Sequence, residues 1–314
     1  MVDSLRVAAV QAAPVYLDRD ATVDRVVELI SEAAANGANL VVFGEVFIPG
    51  YPDWTWRTNP WQDASWFGRL QEQAVVVPSE TTDRLAEAAR DAGVVVAVGI
   101  NERDAHGSTL YNSILYLGDD GSVLGTHRKL MPTGGERLVW GFGDGSDLDV
   151  HDTAYGRISG LICWENYMPL ARAALYGQGL DVYLAPTWDN SDTWLSTLRH
   201  IAKEGRVHVI GVTPCQRGSD VRDAFPGLDA LYGHEDDWLS RGNTAIVGPD
   251  GSVLAGPLVG EPGILYADID LAHARSERRM FDPSGHYARP DVFRLTVDAR
   301  PKKSVTFVRD DRPV

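Results

Sequence analysis

The sequence predicts an α/β fold built from two copies of an α–β–β unit, its two sheets packed face to face with helices outside. Apolar runs of strand length alternate with segments of helical period along the whole 314-residue chain. Asp120-Gly121-Ser122-Val123-Leu124 also recurs as Asp250-Gly251-Ser252-Val253-Leu254, each time after an apolar strand. Turn chemistry alone asks for Asp-Gly but not for the shared Ser-Val-Leu, so a repeated unit is the better explanation. No Pro/Ser-rich linker, charge block or low-complexity tract divides the chain, and residues 1–314 are read as one domain.

The elements follow in order. Residues 5–14 form a buried strand. Asp20 or Thr22 is placed to cap the next helix, where Val23, Val26, Val27, Ile30 and Ala34 make one apolar stripe. Residues 39–45 are a second strand, 81–93 a helix ending at Gly93, and 94–100 a third strand. A hairpin turns at Asp120-Gly121. Strands at 157–163, 181–187 and 207–213 are separated by helical stretches, and a second hairpin turns at Asp250-Gly251.

Composition excludes several classes. With 44% hydrophobic and 23% charged residues, a sizeable core can be buried. The formal charge of −15 disfavours phosphate backbones and anionic lipid, so neither nucleic acid nor membrane is expected as a partner. No apolar run reaches the length of a membrane span, and the N-terminal residues lack a secretory profile. Two cysteines, Cys163 and Cys215, fit a reducing setting, and a cytoplasmic location is expected.

Chemistry in α/β sheets collects beyond the carboxyl ends of the strands. Three strands here end on residues an apolar core would not choose: Glu45, Lys129 and Cys163. A lysine can stabilise a thiolate and developing negative charge, and a partly buried carboxylate can take the thiol proton. The amide of Trp164 is a candidate oxyanion donor. Each residue also has a plain structural role open to it, as a packed thiol, a salt-bridged carboxylate or a snorkelling amine.

Three longer segments sharpen this. GEVFIPGYP (44–52), HRKLMPTGGERLVWGFGDGS (127–146) and GLICWENYMPLAR (160–172) resemble, in order and spacing, the three motif blocks of the nitrilase superfamily. The likeness continues through APTWDNSDTW, RHIAKEG and FDPSGHYARPDVFRL, covering nearly the whole chain. The resemblance implies a four-layer α-β-β-α sandwich, with Glu45, Lys129 and Cys163 as catalytic residues and Glu136 placing the lysine and substrate. Cys163-Trp164-Glu165-Asn166 looks like the nitrile-hydrolysing branch. That branch implies hydrolysis of a nitrile to a carboxylic acid and ammonia, a small-molecule substrate, no cofactor, and a homo-oligomer of two or more chains. The alternatives are an amidase or carbamoylase, a hydratase stopping at the amide, or a catalytically silent interaction module. Two departures from the family pattern stand out. The Gly134-Gly135 pair is expected to loosen a pocket loop. The chain also ends soon after Phe293-Arg294-Leu295, short of the tail that takes part in spiral assembly in many members, so filament formation is left open.

Other features are set aside. Cys215 has no carboxylate–lysine partnership and is read as packing. The eight histidines show no metal-ligand spacing, and His234-Glu235-Asp236-Asp237 is read as a solvated loop. His127, beside Lys129, is expected to face away from it. GFGDGS (141–146) does not open a βαβ unit and is given no cofactor role. Among the aromatics, Trp140 is read as core, while Tyr51, Trp164 and Trp188 are candidate substrate-binding residues, suited to aryl or arylalkyl groups.

Overall fold

The structure, a computed structural model, describes residues 4–232, 237–302 and 305. The strands are β1 (Ser4–Gln11), β2 (Leu40–Phe43), β3 (Val95–Arg103), β4 (Leu110–Leu117), β5 (Val123–Arg128), β6 (His151–Thr153), β7 (Gly156–Gly160), β8 (Val182–Pro186), β9 (His208–Val212), β10 (Cys215–Arg217), β11 (Trp238–Val247), β12 (Val253–Val259) and β13 (Gly263–Asp270). The helices are α1 (Arg19–Ala35), α2 (Ala64–Gln73), α3 (Glu80–Ala92), α4 (Pro169–Tyr176), α5 (Asp192–Gly205) and α6 (Leu271–Glu277).

Two sheets follow one path. In the first, β1, β2 and β3 run parallel and the β4–β5 hairpin adds antiparallel; in the second, β7, β8 and β9 run parallel and the β11–β12 hairpin adds antiparallel. Strands β13, β6 and β10 extend the edges. The hairpin tips close alike: Gly118 N–H reaches Ser122 O at 2.8 Å and Gly248 N–H reaches Ser252 O at 2.8 Å. Gly121 (φ 83°) and Gly251 (φ 86°) hold the left-handed position that glycine takes without strain. Asp120 and Asp250 each accept the amide of the serine two residues on, at 2.9 Å. The shared serine therefore belongs to the turn, and the repeat rests on the equivalent sheet paths.

Period-two alternation sorts the side chains into layers. Val41 and Phe43 point outward beneath Val23, Val26 and Ile30 of α1 and Leu85 and Ala89 of α3. Leu40 and Val42 point inward, with Val7, Val95 and Ala97, against Ile158, Val182, Leu184, Ile210 and Val212 of the second sheet. Tyr183 and Val209 meet Leu175 of α4 and Trp194, Leu198 and Ile201 of α5. This is the α-β-β-α sandwich. Among the described residues no helix is long and apolar enough to cross a membrane.

Boundaries differ from expectation where side-chain chemistry intervenes. Helix α1 is capped by Asp18, whose carboxylate accepts Ala21 N–H at 3.0 Å; the Thr22 hydroxyl instead donates to Asp18 O. Asp20 lies in the first turn, and Ala33 rather than Ala34 completes the buried stripe. Helix α3 ends at Gly93 (φ 64°), as expected. Strands β2 and β7 stop two or three residues short of Glu45 and Cys163, because Val46 (φ 42°) and Cys163 (φ 52°) leave extended geometry.

Candidate active site

The two turns that follow β2 and β7 are held by close backbone packing. A Cβ on Gly99 of β3 would lie 2.2 Å from Gly44 O and 2.5 Å from Val46 N, so the turn carrying Glu45 fits only against a bare backbone. Cys163 opens a 3₁₀ turn (Cys163–Tyr167). Inside it Asn166 donates to Leu161 O and Cys163 O at 2.8 and 2.9 Å and accepts from the Tyr183 hydroxyl at 2.6 Å. Lys129 follows β5, with its amide on Asn112 O at 2.8 Å.

These turns bring the side chains together. Lys129 Nζ lies 2.8 Å from Glu45 Oε1 and 2.7 Å from Glu136 Oε2, and all three side chains are buried. Glu45 also accepts Asn112 Nδ2 at 2.7 Å and the Trp188 amide at 2.6 Å. Glu136 accepts the Thr133 amide and the Tyr51 hydroxyl, both at 2.7 Å. The Tyr51 oxygen in turn accepts Trp56 Nε1 at 3.1 Å, and its ring stacks on Trp188 with centroids 4.5 Å apart. The Gly134-Gly135 pair does not loosen this loop. Gly134 (φ 52°) presents bare backbone to the Trp56 ring, which a Cβ there would approach to 2.9 Å, inside a turn capped by Thr133 and Glu136.

Electrostatics follow from burial. Desolvation pushes the Cys163 thiol up to about 12; Glu45 and Glu136 push the same way, while the Lys129 charge and a hydrogen bond from the Thr187 hydroxyl oppose them. Burial raises Glu45 more than the Lys129 charge lowers it. For Lys129, burial alone would favour the free amine, but Glu45, Cys163 and Glu136 together hold it as ammonium. The resting site is thus a thiol beside a proton-accepting carboxylate and a fixed cation, which can deprotonate a nucleophile and stabilise an anion.

The remaining residues sort clearly. Trp188 is half-buried; Trp164 is 52% exposed, its indole N–H on Asp189 at 2.9 Å, so the structure brings Tyr51 to Glu136 and Trp188 to Glu45 but leaves Trp164 at the surface. Trp140 is core, bonded to Asn101. Cys215 is buried, and burial pushes its thiol up to about 11. His127 is buried with Nε2 at 3.1 Å from both oxygens of Glu165. His234, Glu235 and Asp236 lie outside the described residues, and among the described ones no three His, Cys, Asp or Glu side chains group to hold a metal ion. Sequence reasoning missed Asn112 and Thr187. A lone asparagine in the apolar run of β4 was the available signal for the first, and a threonine closing β8 for the second.

The chain is similar to known proteins along most of its length. The family model for carbon–nitrogen hydrolases matches residues 6–279. The chain is 46% identical to an aliphatic nitrilase of Sinorhizobium fredii, over 96% of this chain and 97% of the relative. It is 42% identical to nitrilase 1 of Arabidopsis thaliana, over 97% and 90%. It is 40% identical to a bifunctional nitrilase/nitrile hydratase of Nicotiana tabacum, over 97% and 89%. In fold it is similar to Saccharomyces cerevisiae Nit3 (TM-score 0.72, 21% identity, 91% of this chain and 97% of the other). A carbon–nitrogen hydrolase of Helicobacter pylori is similar too (TM-score 0.74, 23% identity, 93% and 97%). With its α-β-β-α sandwich and a family match across most of its length, this chain belongs to the carbon–nitrogen hydrolases of the nitrilase superfamily.

Proposed function

We propose that this protein is a nitrilase, converting an organic nitrile to a carboxylic acid and ammonia. The observation that carries the proposal is identity of 40–46% to nitrilases along nearly the full length of both chains. The Glu45–Lys129–Glu136 cluster beside Cys163 supports it with chemistry suited to the reaction.

Glu45 takes the thiol proton, and Cys163 sulfur bonds to the nitrile carbon as the nitrogen is protonated, giving a thioimidate. Water deprotonated by Glu45 adds to that carbon. The carbon–nitrogen bond then breaks, ammonia leaves and a thioester remains. A second water adds, the carbon–sulfur bond breaks, and the acid departs as sulfur regains its proton. Lys129, held by Glu136 and through it by Tyr51, stabilises each tetrahedral stage. Tyr51, stacked on Trp188, and Trp164 are the residues we assign to binding the substituent, an aromatic set suited to aryl or arylalkyl nitriles. No metal or organic cofactor takes part. Residues 1–314 act as one domain in a homo-oligomer of two or more chains. Two unpaired thiols suit a reducing cytoplasm.

The test is incubation with benzonitrile and phenylacetonitrile, quantifying acid, amide and ammonia, with the matching amides in parallel. Acid and ammonia in equal amounts are expected. Amides hydrolysed faster than nitriles would place the protein among the amidases, and amide as main product would make it a hydratase.

A further inference from the structure

The reacting groups stand on different sheets. Lys129 follows β5 of the first and Cys163 follows β7 of the second, so their separation depends on what joins those two chain segments. One carboxylate does so directly. Glu165, buried two residues beyond the nucleophile, accepts the amide of Leu130 on Oε1 and the amide of Ile162 on Oε2, both at 2.8 Å. Leu130 is the residue after Lys129, and Ile162 is the residue before Cys163. His127 faces both Glu165 oxygens at 3.1 Å through Nε2, and its Nδ1 lies 3.5 Å from Asp147 Oδ1. Asp147 Oδ2 accepts the amide of Arg128 at 3.0 Å. The backbone amides on either side of Lys129 are therefore each tied to a carboxylate, and both carboxylates meet one imidazole. None of these three side chains bonds Glu45, Lys129 or Cys163 by its own atoms.

We infer that Glu165, bracketed with His127 and Asp147, is a positioning residue that sets the register of Lys129 against Cys163. It thereby governs how the tetrahedral intermediate collapses. The inference rests on the nitrilase assignment above. After water adds to the thioimidate, the carbon carries hydroxyl, amino and thioether groups. If nitrogen accepts a proton and the carbon–nitrogen bond breaks as the hydroxyl gives up its proton, ammonia and a thioester result. If the carbon–sulfur bond breaks instead, sulfur leaves with the electron pair, the hydroxyl proton passes to it, and the amide is released. Proton delivery to nitrogen needs the Glu45–Lys129 pair at the right distance from the carbon held on Cys163, whereas departure of sulfur does not. Loosening the bracket should slow turnover and divert product to amide, leaving the nitrile's binding surface untouched.

Glu165→Gln tests this closely. Its amide oxygen can still accept one backbone N–H, but its NH₂ faces the other and no charge remains opposite His127. Misplacement of reacting groups by about 1 Å can cost about 10²-fold. The expected result is a loss of that order in kcat, with KM near wild type and a raised amide-to-acid ratio. Labelling of Cys163 by iodoacetamide should also slow, and this readout needs no nitrile turnover. Slowed labelling in a protein that hydrolyses no nitrile would leave the bracket standing and remove the nitrilase assignment. Wild-type kcat, product ratio and labelling in Glu165→Gln would overturn the bracket. So would a loss that falls equally on kcat and KM and merely follows a lowered melting temperature. Should Glu165→Gln fail to fold, Asp147→Asn, at a partly exposed position, decides by the same readouts with a smaller loss expected in the same direction.

Discussion

At the scale of single residues, burial and pairing set what each group can do. Lys129 is fixed as an ammonium between two carboxylates, and Glu45 is the group whose proton affinity burial has raised. Positioned acid–base groups typically contribute about 10²–10⁴-fold. Glu45→Gln and Lys129→Met are each expected to lose turnover in that range with a smaller effect on KM, measured by steady-state ammonia release. An unchanged kcat with a weakened KM would reduce either residue to substrate placement. His127 gives a second prediction, in stability. Burial would lower its pKa, but Glu165 and Asp147 outweigh it and raise it from 6.5 to about 10. The folded state therefore holds this proton more tightly than the unfolded chain. The stabilisation is full below about pH 6.5, declines as pH rises, and is gone above about pH 10. Urea midpoints at pH 6, 8 and 10 should fall more steeply for wild type than for His127→Gln; parallel curves would show that the imidazole stays neutral. Glu45, Lys129 and Cys163 were visible as candidates in the sequence because each is out of character at the end of an apolar run. Asn112, Thr187 and the Glu165–His127 pair were not, because their partners lie on other strands and only tertiary pairing assigns them a task.

At the scale of elements, strands and helices were legible and the turns that carry Glu45 and Cys163 were not. Period-two and period-3.6 patterns placed β1, β2, β3, β7, β8 and β9 and helices α1 and α3 within a few residues. What periodicity cannot show is the left-handed backbone at Val46 and Cys163, which lifts Glu45 and Cys163 out of their strands. Gly99 is the element-level requirement for that geometry on the first sheet, since its missing side chain admits the Glu45 turn. Overpacking a close contact costs about 1–3 kcal/mol. Gly99→Ala should lose stability of that order and also kcat, because the displaced backbone carries Glu45. Asp18→Ala is the contrast. It removes the cap of α1, outside the Glu45 turn, and should cost about 1 kcal/mol with kcat retained. Urea denaturation and ammonia release on both variants separate the two outcomes. Equal kcat in both would show that the turn tolerates movement.

At the scale of the whole molecule, two copies of one strand path face each other across a shared apolar layer, and Glu45 and Lys129 follow strands of one sheet while Cys163 follows a strand of the other. The repeated Asp-Gly-Ser hairpins pointed to this arrangement, although their serine proved to be turn chemistry. The order of strands within each sheet was not legible, since it depends on pairing between distant segments. The central claim, a covalent intermediate on Cys163, is tested most directly by acid-quenching the enzyme during phenylacetonitrile turnover and mapping adduct mass by peptide. The peptide bearing Cys163 should gain the acyl mass and the peptide bearing Cys215 should not. Cys163→Ala should show neither adduct nor ammonia, while Cys215→Ala keeps most activity. An adduct on Cys215, or turnover near wild type in Cys163→Ala, would contradict it.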